Sequence, residues 1–158
     1  LPVGVQNGWQ ETVKAGDSGH ADLPAGANQL DVARATAGKN ELVWKTRPMP
    51  DDARAKPQVA VVWQGGMGYF AEPQGSFALY VNDEKVLDIP AISEQDAVWH
   101  STDKSVSLRY VRDAATAEYG TFTLSLPSSK VMPGQSLVLK VVGSDSNSRR
   151  WFGVFQMW

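Results

Sequence analysis

Two adjacent arginines, Arg149 and Arg150, directly precede Trp151. A guanidinium group can bind a carboxylate or sulfate through two parallel hydrogen bonds, and it can also stack on an aromatic ring. Together with Asn147, these side chains form a candidate site for an acidic sugar. Because successive side chains of a strand point to opposite faces, only one of the two arginines is expected to contact such a ligand. The alternative is the solvated end of a loop, with one arginine paired to Asp145.

A second group of candidates lies in the Gly-rich segment 64–76, where Met67, Tyr69 and Phe70 stand among glycines outside any strand pattern. Sugar rings present apolar C–H faces that can stack on flat aromatic side chains. Long loops are uncommon in compact domains unless they have a function, which makes Tyr69 and Phe70 candidate ligand-binding residues. The alternatives are that they fold back over the end of the core, or that they contact a neighbouring domain.

Trp99 and His100 complete the set of candidate binding residues. They follow segment 93–97, which has the composition of a loop, so the indole of Trp99 could lie at the surface beside the imidazole. Burial in the core is the alternative interpretation of Trp99. Trp44 and Trp63 alternate with aliphatic residues and are expected in the core.

Catalysis is the less favoured interpretation of this sequence. It contains two histidines, His20 and His100, no cysteine, and none of the G-x-S-x-G, P-loop or H-E-x-x-H motifs. A polysaccharide lyase would need a base and a group that neutralises the substrate carboxylate, which Tyr69, Tyr110, His100 and Arg109 could supply. Residues of these types occur in any β protein, so a small lyase or hydrolase stands only as the third hypothesis.

The composition is that of a soluble globular protein, with 42% hydrophobic and 20% charged residues. The 158 residues are expected to form one domain over 1–158. A net charge of −2 argues against a nucleic-acid partner. No apolar run approaches the roughly 20 residues that a membrane helix needs, so no membrane partner is expected.

The absence of cysteine excludes disulfides and thiolate chemistry. The first residues lack the features of a signal peptide, so secretion would require that it has already been removed.

Apolar and polar residues alternate with period two along most of the chain, which is typical of half-buried strands. Asn82 and Asp83 separate two such runs and predict a hairpin. About ten short strands predict an all-β fold, an antiparallel β-sandwich of jelly-roll type. The strand candidates are 29–35, 41–46, 58–64, 76–81, 85–89, 105–111, 120–126, 136–142 and 150–157.

The last candidate strand, 150–157, is apolar on both faces. Trp151, Gly153 and Phe155 lie on one face, and Phe152 and Val154 lie on the other. Such a strand is either covered on both sides or leaves one face as a binding surface.

Two stretches of the chain resemble the ancillary β-sandwich modules of secreted bacterial carbohydrate-active enzymes, in the style of galactose-binding-like jelly rolls. The stretches are VVWQGGMGYFAEPQGSFALYVNDEKVLDI and TFTLSLPSSKVMPGQSLVLKVVGSDSNSRRWFGVF, and the likeness covers about Glu41–Phe155. The resemblance implies a non-catalytic module, extracellular or periplasmic, that binds a polysaccharide or oligosaccharide. It equally allows a structural module that packs on an adjacent catalytic domain. No family motif assigns binding residues here.

No cofactor is expected with certainty, although modules of this style often hold a structural calcium ion. The chain has carboxylates that could serve as oxygen ligands, but none follows the spacing of a D-x-D-x-D-G loop. These carboxylates are Asp17, Asp51, Asp52, Asp83, Asp103 and Asp145.

Overall fold

The computed structural model describes residues 3–6, 9–14, 29–36, 41–68, 75–90, 96–112, 120–144 and 149–157. These residues form twelve strands and one short 3-10 helix, and they contain no α-helix. The strands are β1 (Val3–Gln6), β2 (Trp9–Lys14), β3 (Gln29–Thr36), β4 (Glu41–Lys45), β5 (Gln58–Gly68), β6 (Phe77–Val81), β7 (Glu84–Ile89), β8 (Asp96–His100), β9 (Ser107–Arg112), β10 (Gly120–Pro127), β11 (Val138–Gly143) and β12 (Trp151–Met157); the 3-10 helix is Ser128–Lys130.

The strands form two antiparallel sheets. The five-stranded sheet has the order β1-β4-β11-β6-β7, and the seven-stranded sheet has the order β2-β3-β12-β5-β10-β9-β8. Both sheets contribute side chains to one cluster of buried residues, which is the arrangement of a β-sandwich. The predicted all-β antiparallel sandwich is therefore confirmed. Strands β1, β2 and β8 were not among the sequence candidates.

Alternating side chains build the inner face of each sheet. In β10, Phe122, Leu124 and Leu126 are fully buried, whereas the residues between them are half-buried. Leu79 of β6 and Val141 of β11 reach the same buried cluster from the opposite sheet. Burial of apolar surface at about 25 cal/mol per Å² makes this cluster the main source of the stability of the sandwich.

Aromatic rings fill the centre of the core and join the two sheets. Trp44 of β4 lies edge-on to Trp63 of β5, with ring centroids 5.3 Å apart. Phe122 stacks on Trp63 at 5.4 Å and on Tyr110 at 4.4 Å. Trp44 and Trp63 are buried, as the alternation of the sequence predicts.

The hairpin predicted at Asn82 and Asp83 is present between β6 and β7. Both residues have positive φ, 49° and 66°, as the two central residues of a type I′ turn require. Asn82 also joins the hairpin to β11, because its backbone N–H donates to the carbonyl of Val138 at 2.8 Å and its Oδ1 accepts from the Val138 N–H at 3.0 Å.

Strand β5 is longer than its sequence pattern suggests, and this corrects one expectation. Met67, which we placed in a loop, lies within the strand and is fully buried. The glycines around it serve close packing, because a β-carbon at Gly65 would lie 2.3 Å from the carbonyl oxygen of Gly153. In this segment, glycine therefore marks tight contact between strands and not the start of a loop.

Candidate functional site

Trp151 and Phe155 lie on the face of β12 opposite Phe152, yet only 3% and 4% of their surfaces are exposed. Their ring centroids are 6.3 Å apart, and Trp151 rests on Gly68 of the neighbouring strand. Both faces of this strand are therefore covered. An indole buried to this extent is not available for stacking on a sugar, so Trp151 does not form an open aromatic platform.

The two arginines before Trp151 differ in exposure. Arg149 is exposed, whereas Arg150 is 1% exposed and is the buried charged residue of the described core. Each has at least one noncovalent partner within the protein. Burial of a guanidinium requires such a partner, since an isolated buried charge is strongly unfavourable. Arg149 is the arginine of this pair that a ligand in solution could reach.

The remaining candidates are only partly described by the structure. Trp99 is 6% exposed and packs into the core from β8, while His100 at the end of that strand is exposed. Tyr69, Phe70 and Asn147 lie outside the described residues, and their roles stay predictions.

One aromatic side chain is accessible among those whose exposure the structure describes. Tyr80 of β6 is half-buried on the outer face of the five-stranded sheet, and Lys140 Nζ lies 4.8 Å from its ring centroid. Lys140 also approaches Asp83 at 3.5 Å, and Lys85 forms an ion pair with Asp88 at 2.7 Å. Lys140 and Lys85 are therefore paired within the chain.

A cleft of about 370 Å³ lies where the β6–β7 hairpin faces the 3-10 helix. We call it the hairpin cleft. Its lining residues are Val81, Asn82, Glu84, Val86, Ser129 and Lys130.

Two segments that are distant in the sequence form the hairpin cleft. Val81 and Val86, both nearly buried, come from the strands of the hairpin. Ser129 and Lys130 come from the 3-10 helix, which Val131 closes by donating its N–H to the carbonyl of Ser128 at 3.2 Å. The hairpin also contributes Asn82 and Glu84, so polar lining comes from both segments and the two valines are its apolar part.

An ion pair spans the hairpin cleft. Lys130 Nζ lies 3.0 Å from Glu84 Oε1, and the side chains are 30% and 69% exposed. The side-chain oxygen of Asn82 accepts a hydrogen bond from the Val138 N–H. The side-chain amide nitrogen of Asn82 remains able to donate to a ligand. Together with Ser129, these groups offer hydrogen-bond donors and acceptors beside the two valines, and the positive and negative charges balance.

The outer surface of the seven-stranded sheet carries exposed aliphatic side chains. Its side chains alternate with core residues along β8, β9, β10 and β5, and those of β10 are half-buried. We call it the open face and define it by Val62, Val98, Arg109, Val111, Thr121 and Thr123. Val62, Val98 and Val111 are 60%, 52% and 36% exposed, respectively.

The loop between β8 and β9 is held by one carboxylate. Asp103 Oδ1 accepts hydrogen bonds from the Ser105 N–H at 3.0 Å and from the hydroxyls of Ser101 and Ser105, each at 2.7 Å. These bonds, led by that from the Ser105 backbone, stabilise the ionised form and lower the pKa of Asp103 to about 2. The carboxylate serves as the local anchor of this loop.

The expected calcium ligands are not gathered into a metal centre in the described part of the chain. No group of three or more histidine, aspartate or glutamate side chains there is arranged to hold a metal ion. Asp17 and Asp145 lie outside that part. The described residues also include no helix long and apolar enough to span a membrane.

Comparisons with protein-family models, with curated proteins and with solved structures return no match for this chain.

Proposed function

We propose that the chain is a non-catalytic carbohydrate-binding module of jelly-roll type, exported as an accessory part of a carbohydrate-active enzyme, and that the hairpin cleft binds a sugar ring. The observation that carries the proposal is the ion pair between Glu84 and Lys130, which lies beside Asn82 and Ser129 in one small cleft. Glu84 can accept from one hydroxyl while Lys130 donates to the next.

The charge of the hairpin cleft favours neutral sugars over uronic or sulfated ones. Lys130 is paired with Glu84, so an anionic ligand would gain one ammonium contact while meeting the carboxylate next to it. A single shallow site of this kind binds weakly, and attachment to an enzyme on the same polysaccharide would raise its effective affinity.

Affinity gel electrophoresis on neutral and acidic polysaccharides tests this proposal. Lys130→Ala should weaken retardation on a neutral polysaccharide by about tenfold, because a hydrogen bond from a charged group is lost. Lys85→Ala is the matched control, since it also removes a lysine and an exposed ion pair, but Lys85 does not line the cleft.

Equal binding by both variants, or no retardation of the folded protein on any polysaccharide, would remove the proposal. New reducing ends or unsaturated products during incubation would identify a hydrolase or a lyase instead of a binding module.

A second candidate function is that of an interaction module that packs on a neighbouring protein domain. The three exposed valines of the open face favour it, since exposed apolar side chains grouped on one face can mark an interaction site.

A further inference from the structure

We infer that Met132 is a methionine oxidation site, at which Arg54 binds the sulfoxide oxygen that a peroxide leaves on the sulfur. Met132 does not line the hairpin cleft, and its oxidation is independent of sugar binding.

Met132 is the most accessible of the methionines whose side chains the structure describes. It is 50% exposed, whereas Met49 is 9% exposed and Met67 is fully buried. A thioether reacts with a peroxide only where the oxidant reaches its sulfur, so exposure decides which methionine is oxidised first. The same exposure leaves room for the oxygen atom that the reaction adds.

The guanidinium of Arg54 already contacts the sulfur of Met132. Its Nη2 lies 3.2 Å from Sδ, and its Nε donates to the carbonyl of Val131 at 2.9 Å. Because the guanidinium is planar and rigid, the bond to the fully buried Val131 also sets the direction of the other N–H groups. One N–H of a fixed cation is therefore directed at the atom that oxidation changes.

The backbone holds the two residues near each other. The connection between β4 and β5, which carries Arg54, is hydrogen-bonded to residues that follow Met132. Met49 donates its N–H to the carbonyl of Gln135 at 2.9 Å, and its own carbonyl accepts from the Gly134 N–H at 2.8 Å. The contact between guanidinium and sulfur is therefore supported by the fold.

Oxidation improves the acceptor that faces Arg54. A lone pair of the sulfur attacks one oxygen of hydrogen peroxide, so that an S–O bond forms while the O–O bond breaks. The departing hydroxide takes the proton of the transferred oxygen and leaves as water; the sulfur is oxidised by two electrons and the peroxide is reduced. A thioether sulfur is a weak acceptor, whereas a sulfoxide oxygen is polar and accepts a charge-assisted bond from a guanidinium.

The same chemistry has the opposite consequence in the core. An oxygen on Met67 would enter the buried apolar cluster, where a polar group without a hydrogen bond is unfavourable. The unbranched side chain of Met132 can instead move its sulfur back at the surface and turn the oxygen towards Arg54. Oxidation of Met132 therefore preserves the fold, and methionine sulfoxide reductases could reverse it.

Treatment of the folded protein with dilute hydrogen peroxide tests the inference. Every variant carries Met157→Leu, so that the three remaining methionines are compared. Peptide mass spectrometry should show sulfoxide forming at Met132 about tenfold faster than at Met49 or Met67. Equal rates at the three positions overturn the inference.

Urea denaturation of the protein oxidised at Met132 measures the contact with Arg54. Oxidation should raise the urea midpoint by about 0.3 M, because a charge-assisted hydrogen bond replaces a weak one. The rise should be absent in Arg54→Ala. It should persist in Arg47→Ala, which removes an exposed arginine of the same β4–β5 connection that is not hydrogen-bonded to Met132. A midpoint that oxidation lowers or leaves unchanged, or a rise that survives Arg54→Ala, contradicts the inference.

Two further measurements remain decisive even if Arg54→Ala is too unstable to compare. Met132→Gln places a carbonyl oxygen where the sulfoxide oxygen would lie, and it should raise the urea midpoint without any oxidant. In the protein with Arg54 intact, the side-chain N–H protons of Arg54 should exchange with solvent more slowly after oxidation, as NMR can measure. A midpoint unchanged by Met132→Gln, or unchanged exchange of those protons, shows that Arg54 does not bind the oxygen.

Discussion

Trp151 rests on Gly68 so closely that a β-carbon added to the glycine would lie 1.8 Å from the indole nitrogen. The two residues are register partners on β12 and β5. The indole therefore occupies the volume of a missing side chain, and it is buried on the face of the sheet opposite the main core.

Gly68→Ala should destabilise the protein by about 1–3 kcal/mol, because the added methyl group must displace the Trp151 ring. Chemical denaturation followed by fluorescence measures the change. Trp151→Ala removes the obstacle, so Gly68→Ala should cost much less in that background. Additive effects of the two substitutions would contradict the packing argument.

Asn82→Ala should lower the free energy of unfolding by roughly 1–2 kcal/mol. The substitution removes the side-chain acceptor of the Val138 N–H and places alanine at a positive φ. Asp83→Gly is the matched variant in the same turn, where glycine adopts positive φ without strain. We expect Asp83→Gly to leave the free energy of unfolding in urea unchanged or to raise it. If Asp83→Gly lowers that free energy as much as Asn82→Ala does, the positive φ of the turn is not the cause of the Asn82→Ala effect.

The carboxyl of Asp103 should titrate with a pKa of about 2. Since its pKa in an unfolded chain is about 3.9, the folded state favours the ionised form. The stability that it contributes is present above the unfolded pKa and is lost as the pH falls towards 2. Carboxyl NMR measures the pKa directly. In Ser105→Ala, which removes one donor, the pKa should rise, and an unchanged pKa would exclude the hydroxyl as a cause.

Much of the fold could be predicted from the sequence because the period-two alternation of a strand reflects only which of its own faces is buried. Phe122, Leu124 and Leu126 identify their strand and its buried face without knowledge of any partner. Strand β8, Asp96–His100, was missed because it is short and starts with aspartate and alanine, which are depleted in strands. Met67 was misplaced since the glycines around it also fit a loop.

The candidate sites were harder to predict because they depend on which elements meet. Glu84 and Lys130 are 46 positions apart, and no pattern in either segment indicates that they form an ion pair across a cleft. The burial of Trp151 was left open by the sequence, because a strand that is apolar on both faces has the same pattern whether covered or bare. The open face could have been suspected from Val62, Val98 and Val111, each of which stands out of phase with the core residues of its strand.

The edge-on contact between Trp44 and Trp63 joins one ring from each sheet. Two indoles at this distance couple their electronic transitions, so the near-ultraviolet circular dichroism depends directly on how the two sheets pack against each other. The far-ultraviolet signal depends instead on the strands themselves. If the near-ultraviolet signal is lost before the far-ultraviolet signal during unfolding, the protein passes through an intermediate. In that intermediate the two sheets no longer pack on each other, while the backbone hydrogen bonds within each sheet remain.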